Sequence, residues 1–293
     1  VWGKEVALPG IAVFMDRLTI PAMTIRDVPY VADGGPRQCL DLYLPETEGP
    51  FPVLVYIHGG AWLFGSKSDR VPLDSLRDGY ALACLNYRFS SEAVFPAQLE
   101  DCKAAVRWLR AHSTEFDLDP KRFAAYGQSA GGHLAALLGT TGQTKAFDVG
   151  EHLEYSSEVQ VVIDFYGPVD FLQMDAHRFA DGMVHNDPSS PESRLIGGLI
   201  NENLDKVQSA NPISYLTHQA SPFLIIHGDQ DRLVPIHQSE LLAGALRASG
   251  VTVTFHTVSG GGHEDFQSPD VKALFRDFLA KHLLNTVSNL GRD

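Results

Sequence analysis

The sequence predicts an α/β domain: an eight-stranded, mostly parallel sheet with helices on both faces and a small partial cap. Three observations lead there. Short apolar segments rich in β-branched and aromatic residues alternate with longer segments of 3.6-residue period, the pattern of strands joined by crossover helices. The 293 residues are 44% hydrophobic and 20% charged, which suits a single globular domain over 1–293 and excludes a disordered chain. One apolar run, Arg122-Phe123-Ala124-Ala125-Tyr126, passes through Gly127-Gln128-Ser129-Ala130-Gly131 directly into a helical pattern.

Each element has its own local reason. Residues 1–23 match no pattern and read as an arm or cap element. Strands at 25–31 and 39–44, joined through Asp33-Gly34-Gly35-Pro36, make an antiparallel hairpin at the sheet edge. Apolar runs at 51–58 and 81–87 are buried strands, followed by an amphipathic helix at 96–112. Pro120 precedes the strand at 122–126, and the helix at 130–138 follows the serine turn. Beyond a strand at 159–166, the rhythm breaks over 167–216, a long segment holding several Pro, Gly and Asn. It is expected to form a partial cap over the carboxyl edge of the sheet, where open α/β sheets bind ligands, and so to choose the substrate. Strands at 223–227 and 252–258 flank a helix at 236–249 closed by Gly250, and a last helix covers 269–284.

Composition narrows the partners. A net charge of −13 opposes nucleic acid or an anionic membrane surface, and no run of 18 apolar residues exists to cross a bilayer. Cys39, Cys84 and Cys102 are odd in number and lack metal-ligand spacing; they read as reduced structural thiols, with a Cys39–Cys102 bridge as the alternative. Twelve scattered histidines offer no zinc spacing, so neither metal nor organic cofactor is expected. The first 23 residues lack the basic start and apolar run of a signal peptide, which favours the cytoplasm; a start at Val rather than Met leaves a removed leader open. Homodimer formation is left open.

The chemistry is carried by a serine. A hydroxyl is a weak nucleophile at neutral pH, so it needs exposure on a sharp turn and a base within hydrogen-bond reach, as Ser129 would have between strand and helix. His263 is the expected base: Gly260-Gly261-Gly262 places it on a side-chain-free loop after the last strand. A carboxylate must orient that imidazole, and Asp231, deep in the loop after 223–227, is assigned this task; Asp229, nearer the strand end, is expected to cap the turn. Gly60, Ala61 and Ala130 are expected to donate backbone N–H groups to a developing oxyanion, with Gly59 permitting the turn and His58 bonding the loop. Trp62, Gln128 and Val234 are the candidate pocket residues, Trp62 balanced between lining the acyl site and packing beneath the loop.

The order Ser129, Asp231, His263 is that of α/β-hydrolases. The chain resembles α/β-hydrolase esterases of the hormone-sensitive-lipase-like type, and within them the bacterial feruloyl and acetyl-xylan esterase-like (BD-FAE) branch. The likeness runs from His58 to about Phe266 and rests on His58-Gly59-Gly60-Ala61-Trp62, Asn86-Tyr87-Arg88, Phe95-Pro96-Ala97-Gln98-Leu99-Glu100-Asp101 and Gly127–Gly132. It continues through Ser190-Pro191-Glu192-Ser193, Ala210-Asn211-Pro212, the loop from His227 to Pro235, and Gly262-His263. Ala61-Trp62 replaces the usual third glycine of lipase-like relatives, which favours the feruloyl-esterase-like branch. His263-Glu264-Asp265-Phe266 sets two carboxylates by the site and should disfavour acidic substrates. The resemblance implies an α/β-hydrolase fold and a serine carboxylesterase acting on short-chain or carbohydrate-linked acyl or feruloyl esters. The alternatives are an aryl-formamide (kynurenine formamidase-like) hydrolase and a non-catalytic binding module on the same fold.

Overall fold

The computed structural model describes residues 23–284. The arm expected for 1–23 therefore lies, apart from Met23, outside the described residues. Eight strands form one sheet: β1 (Met23–Pro29), β2 (Cys39–Leu44), β3 (Phe51–Ile57), β4 (Ala81–Leu85), β5 (Leu118–Gln128), β6 (Val161–Phe165), β7 (Phe223–Gly228) and β8 (Val253–Val258). Their order is β1-β2-β4-β3-β5-β6-β7-β8, and among the described residues the β1–β2 and β2–β4 pairs are antiparallel and the others parallel. The edge hairpin expected from Asp33-Gly34-Gly35-Pro36 is present, closed by Gly34 N–H to Val31 O and Gln38 N–H to Gly35 O.

Period-2 alternation along the central strands sorts the core into two layers. From β3, Val53, Val55 and Ile57 point to one side, while Leu54 and Tyr56 point to the other. The first layer packs under α1 (Ala97–Ala111), α2 (Ala130–Thr140) and α6 (His237–Ala248); the second packs under α7 (Pro269–Leu279) and a 3-10 turn at Leu73–Asp78. Both faces of the sheet are thus covered, which is why β3, β6, β7 and the second half of β5 read as near-continuous apolar runs. Cys39, Cys84 and Cys102 are buried and unbridged. No helix among the described residues is long and apolar enough to cross a membrane.

Two boundaries differ from the sequence reading for physical reasons. Strand β5 runs from Leu118 to Gln128 rather than over 122–126, because Leu118 pairs with Phe51 and Gln128 with Phe165. The last helix ends at Leu279, and the chain continues as a wider π-helical turn over Ala280–Leu284. Segment 167–216 is not irregular throughout: it carries α3 (Phe171–His177), α4 (Pro191–Ile196) and α5 (Leu204–Ala210). The side chains of Asp170 and Ser190 cap α3 and α4.

Strand β6 flanks the serine turn and brings a buried acid with it. Asp164 is fully buried; its Oδ1 accepts the Gly167 N–H at 2.9 Å and its Oδ2 has no partner among the described residues. Burial pushes its carboxyl up to about 7, against which the Gly167 hydrogen bond acts only weakly. Between the ordinary value of 3.8 and about 7 the folded chain holds a proton that the unfolded chain has released. Stability from this group is therefore present at acid pH and falls as pH rises through that window. Denaturant titrations from pH 4 to 8 should show this decline, and Asp164→Asn, which keeps the oxygen acceptor, should flatten it.

Candidate active site

Strand β5 stops at Gln128, and Ser129 turns the chain into α2 with φ +56° and ψ −121°, a conformation that L-residues avoid. The turn is held by Ser129 N–H to Phe165 O at 2.8 Å and His133 N–H to Ser129 O at 3.0 Å. Glycine is required on both sides. A Cβ at Gly127 would lie 2.1 Å from Gly131 O, and one at Gly131 would lie 2.0 Å from Ile57 O. Helix α2 therefore enters directly against the end of β3, with the serine side chain left partly exposed at the apex.

The expected triad members meet in one hydrogen-bond chain. His263 Nε2 lies 2.9 Å from Ser129 Oγ, and His263 Nδ1 lies 2.7 Å from Asp231 Oδ2. The other Asp231 oxygen accepts the N–H groups of Leu233 and Val234 at 2.8 and 2.9 Å. Asp229 stays away from the imidazole: its Oδ1 accepts the Gly260 N–H at 2.8 Å and ties the β8 loop to the β7 loop. A Cβ at Gly228 would lie 2.2 Å from Gly261 O, so that same loop pair touches only because no side chain intervenes.

A second histidine also holds Asp231. His227, at the end of β7, is fully buried; its Nε2 faces Val234 O at 2.9 Å and Asp231 Oδ2 at 3.2 Å. Two acceptors at Nε2 place the proton there, so Nδ1 accepts from the Ser239 hydroxyl at 2.7 Å. Burial alone would push the Asp231 carboxyl up, but the hydrogen bonds from His227 and His263 outweigh it and hold the group well below the usual carboxylate range. The sequence reading missed His227, whose only signal was its place one residue before Gly228-Asp229. It also missed Tyr166, which carries φ +47° after β6 and sets its ring 4.6 Å from that of His263.

The loop after β3 approaches the serine turn from the other side. A Cβ at Gly59 would come 2.9 Å from Gln128 O, and Gly60 and Ala61 both have positive φ, +112° and +56°. The N–H groups of Gly60, Ala61 and Ala130 find no acceptor among the described residues. His58 is buried and stacked on Tyr87 with ring centroids 4.5 Å apart; its Nδ1 donates to Gly59 O at 2.6 Å. Burial lowers its ring to about 4, so it stays neutral and shapes the loop.

A cavity of about 300 Å³ opens beside Ser129, walled by Gly60, Ala61, Tyr166, Leu233 and His263, with Phe64 and Arg70 at its rim. Of the three candidate pocket residues, only Gln128 lines this cavity. Trp62 is 1% exposed and packs on His133 and Phe171 beneath the loop, outside the cavity, because φ +56° at both Ala61 and Trp62 turns the indole inward. Val234 is buried as well, its N–H and C=O spent on Asp231 and His227; its neighbour Leu233, 48% exposed, takes the wall position. No residue of 167–216 lines this cavity: the segment packs on α2, on α6 and on the loop after β7, where Met183 N–H donates to Arg232 O, and its Phe171 meets Trp62 beneath the loop after β3. Gln128 does line it, its amide donating to Tyr126 Oη at 2.7 Å and Asp265 Oδ1 at 3.1 Å. Among the described residues no group of three or more His, Cys, Asp or Glu is placed to hold a metal ion.

A mostly parallel sheet with helices on both faces, carrying a serine on its strand–helix turn and an aspartate and a histidine after its last two strands, defines an α/β-hydrolase. The chain belongs to the BD-FAE family, whose model matches residues 40–246. It is 34% identical over 205 residues to the probable carboxylic ester hydrolase LipM of Mycobacterium tuberculosis, covering 69% of this chain and 46% of that one. Among solved structures, the truncated form of a carbohydrate esterase from gut microbiota is 32% identical with a TM-score of 0.83, covering 90% of this chain and 97% of that one. The bifunctional GH43-CE of Bacteroides eggerthii is 36% identical with a TM-score of 0.81, covering 90% of this chain and 38% of that one. The chain spans about half the length of the curated relatives it matches, 46 to 57% of the first three.

Two measurements check this geometry. Trp62→Phe should cost about 1–2 kcal/mol in denaturant unfolding while leaving acyl-chain preference alone, whereas Leu233→Ala should change that preference with little loss of stability. For Asp231, whose folded value is depressed, stabilisation is full above the ordinary 3.8 and is lost as pH falls below it. Asp231→Asn should therefore remove part of the acid-side decline in stability, read from unfolding curves between pH 2 and 5.

Proposed function

We propose that the chain is a serine carboxylic-ester hydrolase acting on short-chain or carbohydrate-linked acyl esters through an acyl-enzyme. One observation carries this reading: the unbroken chain from Asp231 through His263 to Ser129, at 2.7 and 2.9 Å, facing three unspent backbone N–H groups. Ser129 Oγ attacks the ester carbonyl while His263 Nε2 takes its proton. The tetrahedral oxygen is held by the N–H groups of Gly60, Ala61 and Ala130, two of them in a loop fixed by positive-φ geometry. Collapse expels the alcohol, which receives its proton from His263, and water repeats the cycle on the acyl group. Asp231, kept ionised by its two histidines and two N–H donors, stabilises the imidazolium without taking the proton.

The substrate reading rests on size and on likeness. A cavity of about 300 Å³ sits at the small end of ligand sites and favours short acyl groups. The similarity to a carbohydrate esterase over nearly the whole of that chain supports a carbohydrate-linked ester. Exposed Phe64 at the rim, 63% accessible, favours a second reading in which an aryl group rests there, as in an aryl formamide.

Ser129→Ala should lower kcat on p-nitrophenyl acetate by about 10⁴- to 10⁶-fold and abolish labelling by a fluorophosphonate, with Asp231→Asn costing about 10⁴-fold. Retained activity and no label on Ser129 would sink the mechanism. Faster turnover of N-formylkynurenine than of any ester from C2 to C8 would favour the formamide reading.

A further inference from the structure

A second cavity, also about 300 Å³, adjoins the one at Ser129 and shares Gln128 and Arg70 with it. It lies between the 3-10 turn Leu73–Asp78, the start of α7 and the β8–α7 loop, so its wall begins two residues after His263. Its floor is aromatic: Phe275 is half-buried and meets Tyr126 edge-on at 5.1 Å, with Phe165 and Phe266 beside them. Its rim is charged and balanced, with the cations Arg70, Lys272 and Arg276 against the carboxylates Asp74, Asp78 and Asp265.

Most of these charges are already engaged. Lys272 pairs with Asp74 at 3.4 Å and Arg276 with Asp78 at 3.1 Å, while Asp265 accepts from the amides of Gln128 and Gln267 at 3.1 and 2.8 Å. Arg70, exposed at the junction of the two cavities, has no ion pair or hydrogen bond to a described residue. So polar a rim repels an acyl chain, and its equal numbers of cations and anions give no field that draws a net charge. What it offers is many fixed donors and acceptors around an aromatic face. A neutral sugar ring matches that: each hydroxyl both donates and accepts, and its C–H face meets the negative face of a ring.

We propose that this second cavity is the subsite for the alcohol part of the substrate, a neutral pyranose, with Phe275 as its stacking surface and Arg70 and Lys272 as hydroxyl donors. The inference rests on the ester-hydrolase reading above and assigns the two halves of the ester to the two cavities. The acyl group bonds to Ser129 Oγ beside Gly60 and Ala61. The C–O bond to the sugar breaks, and the sugar oxygen takes the proton that His263 Nε2 removed from Ser129. That oxygen must lie within reach of His263 Nε2, and the wall of the second cavity begins two residues beyond that histidine, at Asp265.

The test uses the whole chain. Saturation-transfer NMR with methyl β-D-xylopyranoside reads binding without any turnover, and the kcat/KM ratio of its monoacetate to p-nitrophenyl acetate reads selectivity. Phe275→Ala should weaken xyloside binding and lower that ratio by about tenfold. Lys272→Ala, at a half-exposed helix position that tolerates truncation, should lower both by about threefold. An unchanged ratio and unchanged binding in folded Lys272→Ala and Phe275→Ala overturn the proposal, as does tighter binding of methyl β-D-glucuronide than of the neutral sugar. If no ester is turned over at all, the hydrolase reading fails, and the binding measurement still decides the sugar site.

Discussion

The close approach of three backbones at the carboxyl end of the sheet governs everything else in this molecule. Gly131 sits against Ile57 O, Gly127 against Gly131 O, and Gly59 against Gln128 O, each at a distance no Cβ tolerates. These contacts bring the end of β3, the end of β5 and the start of α2 to one point. Without them Ser129 would not hold φ +56°, and the loop of Gly60 and Ala61 would not reach the serine. Small residues here serve proximity: they exchange side-chain packing for backbone N–H groups that lie beside Ser129 without an acceptor among the described residues.

Asp231 plays the corresponding role on the other side of the serine. It accepts from four groups, two histidine rings and two backbone N–H donors, and so remains ionised despite complete burial. The loops that carry it and His263 are fastened to each other by Asp229 on the Gly260 N–H and by Gln230 N–H on Gly261 O. The imidazole is thus held on its far face by Tyr166, at its Nδ1 by Asp231, and along its backbone by the β7 loop. In the proposed mechanism, a base pinned from three directions loses little entropy in the transition state.

What the sequence disclosed and what it withheld divide along the same physical line. Strand–helix alternation, the glycine-flanked serine and the glycine run before His263 are local patterns, and they located the sheet, the turn and the candidate base. The choice of Asp231 over Asp229 was also legible, since position within the loop decides which acid reaches across to β8. Pocket walls were not. Whether Trp62 faces substrate or core depends on two consecutive positive φ values, at Ala61 and Trp62, that no composition signals. Leu233 is exposed and Val234 buried because both N–H groups bend round one Asp231 oxygen, a tertiary contact. The segment 167–216 read as a partial cap from its length and its Pro, Gly and Asn content, while its packing on α2 and α6 is a tertiary contact that no local pattern signals.

About half of the walls come instead from the chain between Gly59 and Arg70, and the rest includes Gln128, Tyr166, Leu233 and His263. That loop is anchored from beneath by the buried pair of Lys67 Nζ and Asp41 at 2.5 Å, with the exposed Asp27 at 2.8 Å, and Lys67 N–H donates to Asn86 Oδ1. Arg37 adds a bond to Gly65 O while lying 3.7 Å above the Phe89 ring. Breaking such a set by removing one partner leaves a buried charge uncompensated, so the loop is fixed more firmly than its surface position implies. Its far end is different. Arg70 carries no partner among the described residues and stands where the two cavities meet. A loop rigid at its donors and free at its last guanidinium can keep the oxyanion geometry constant while its exposed end adapts to the group being released.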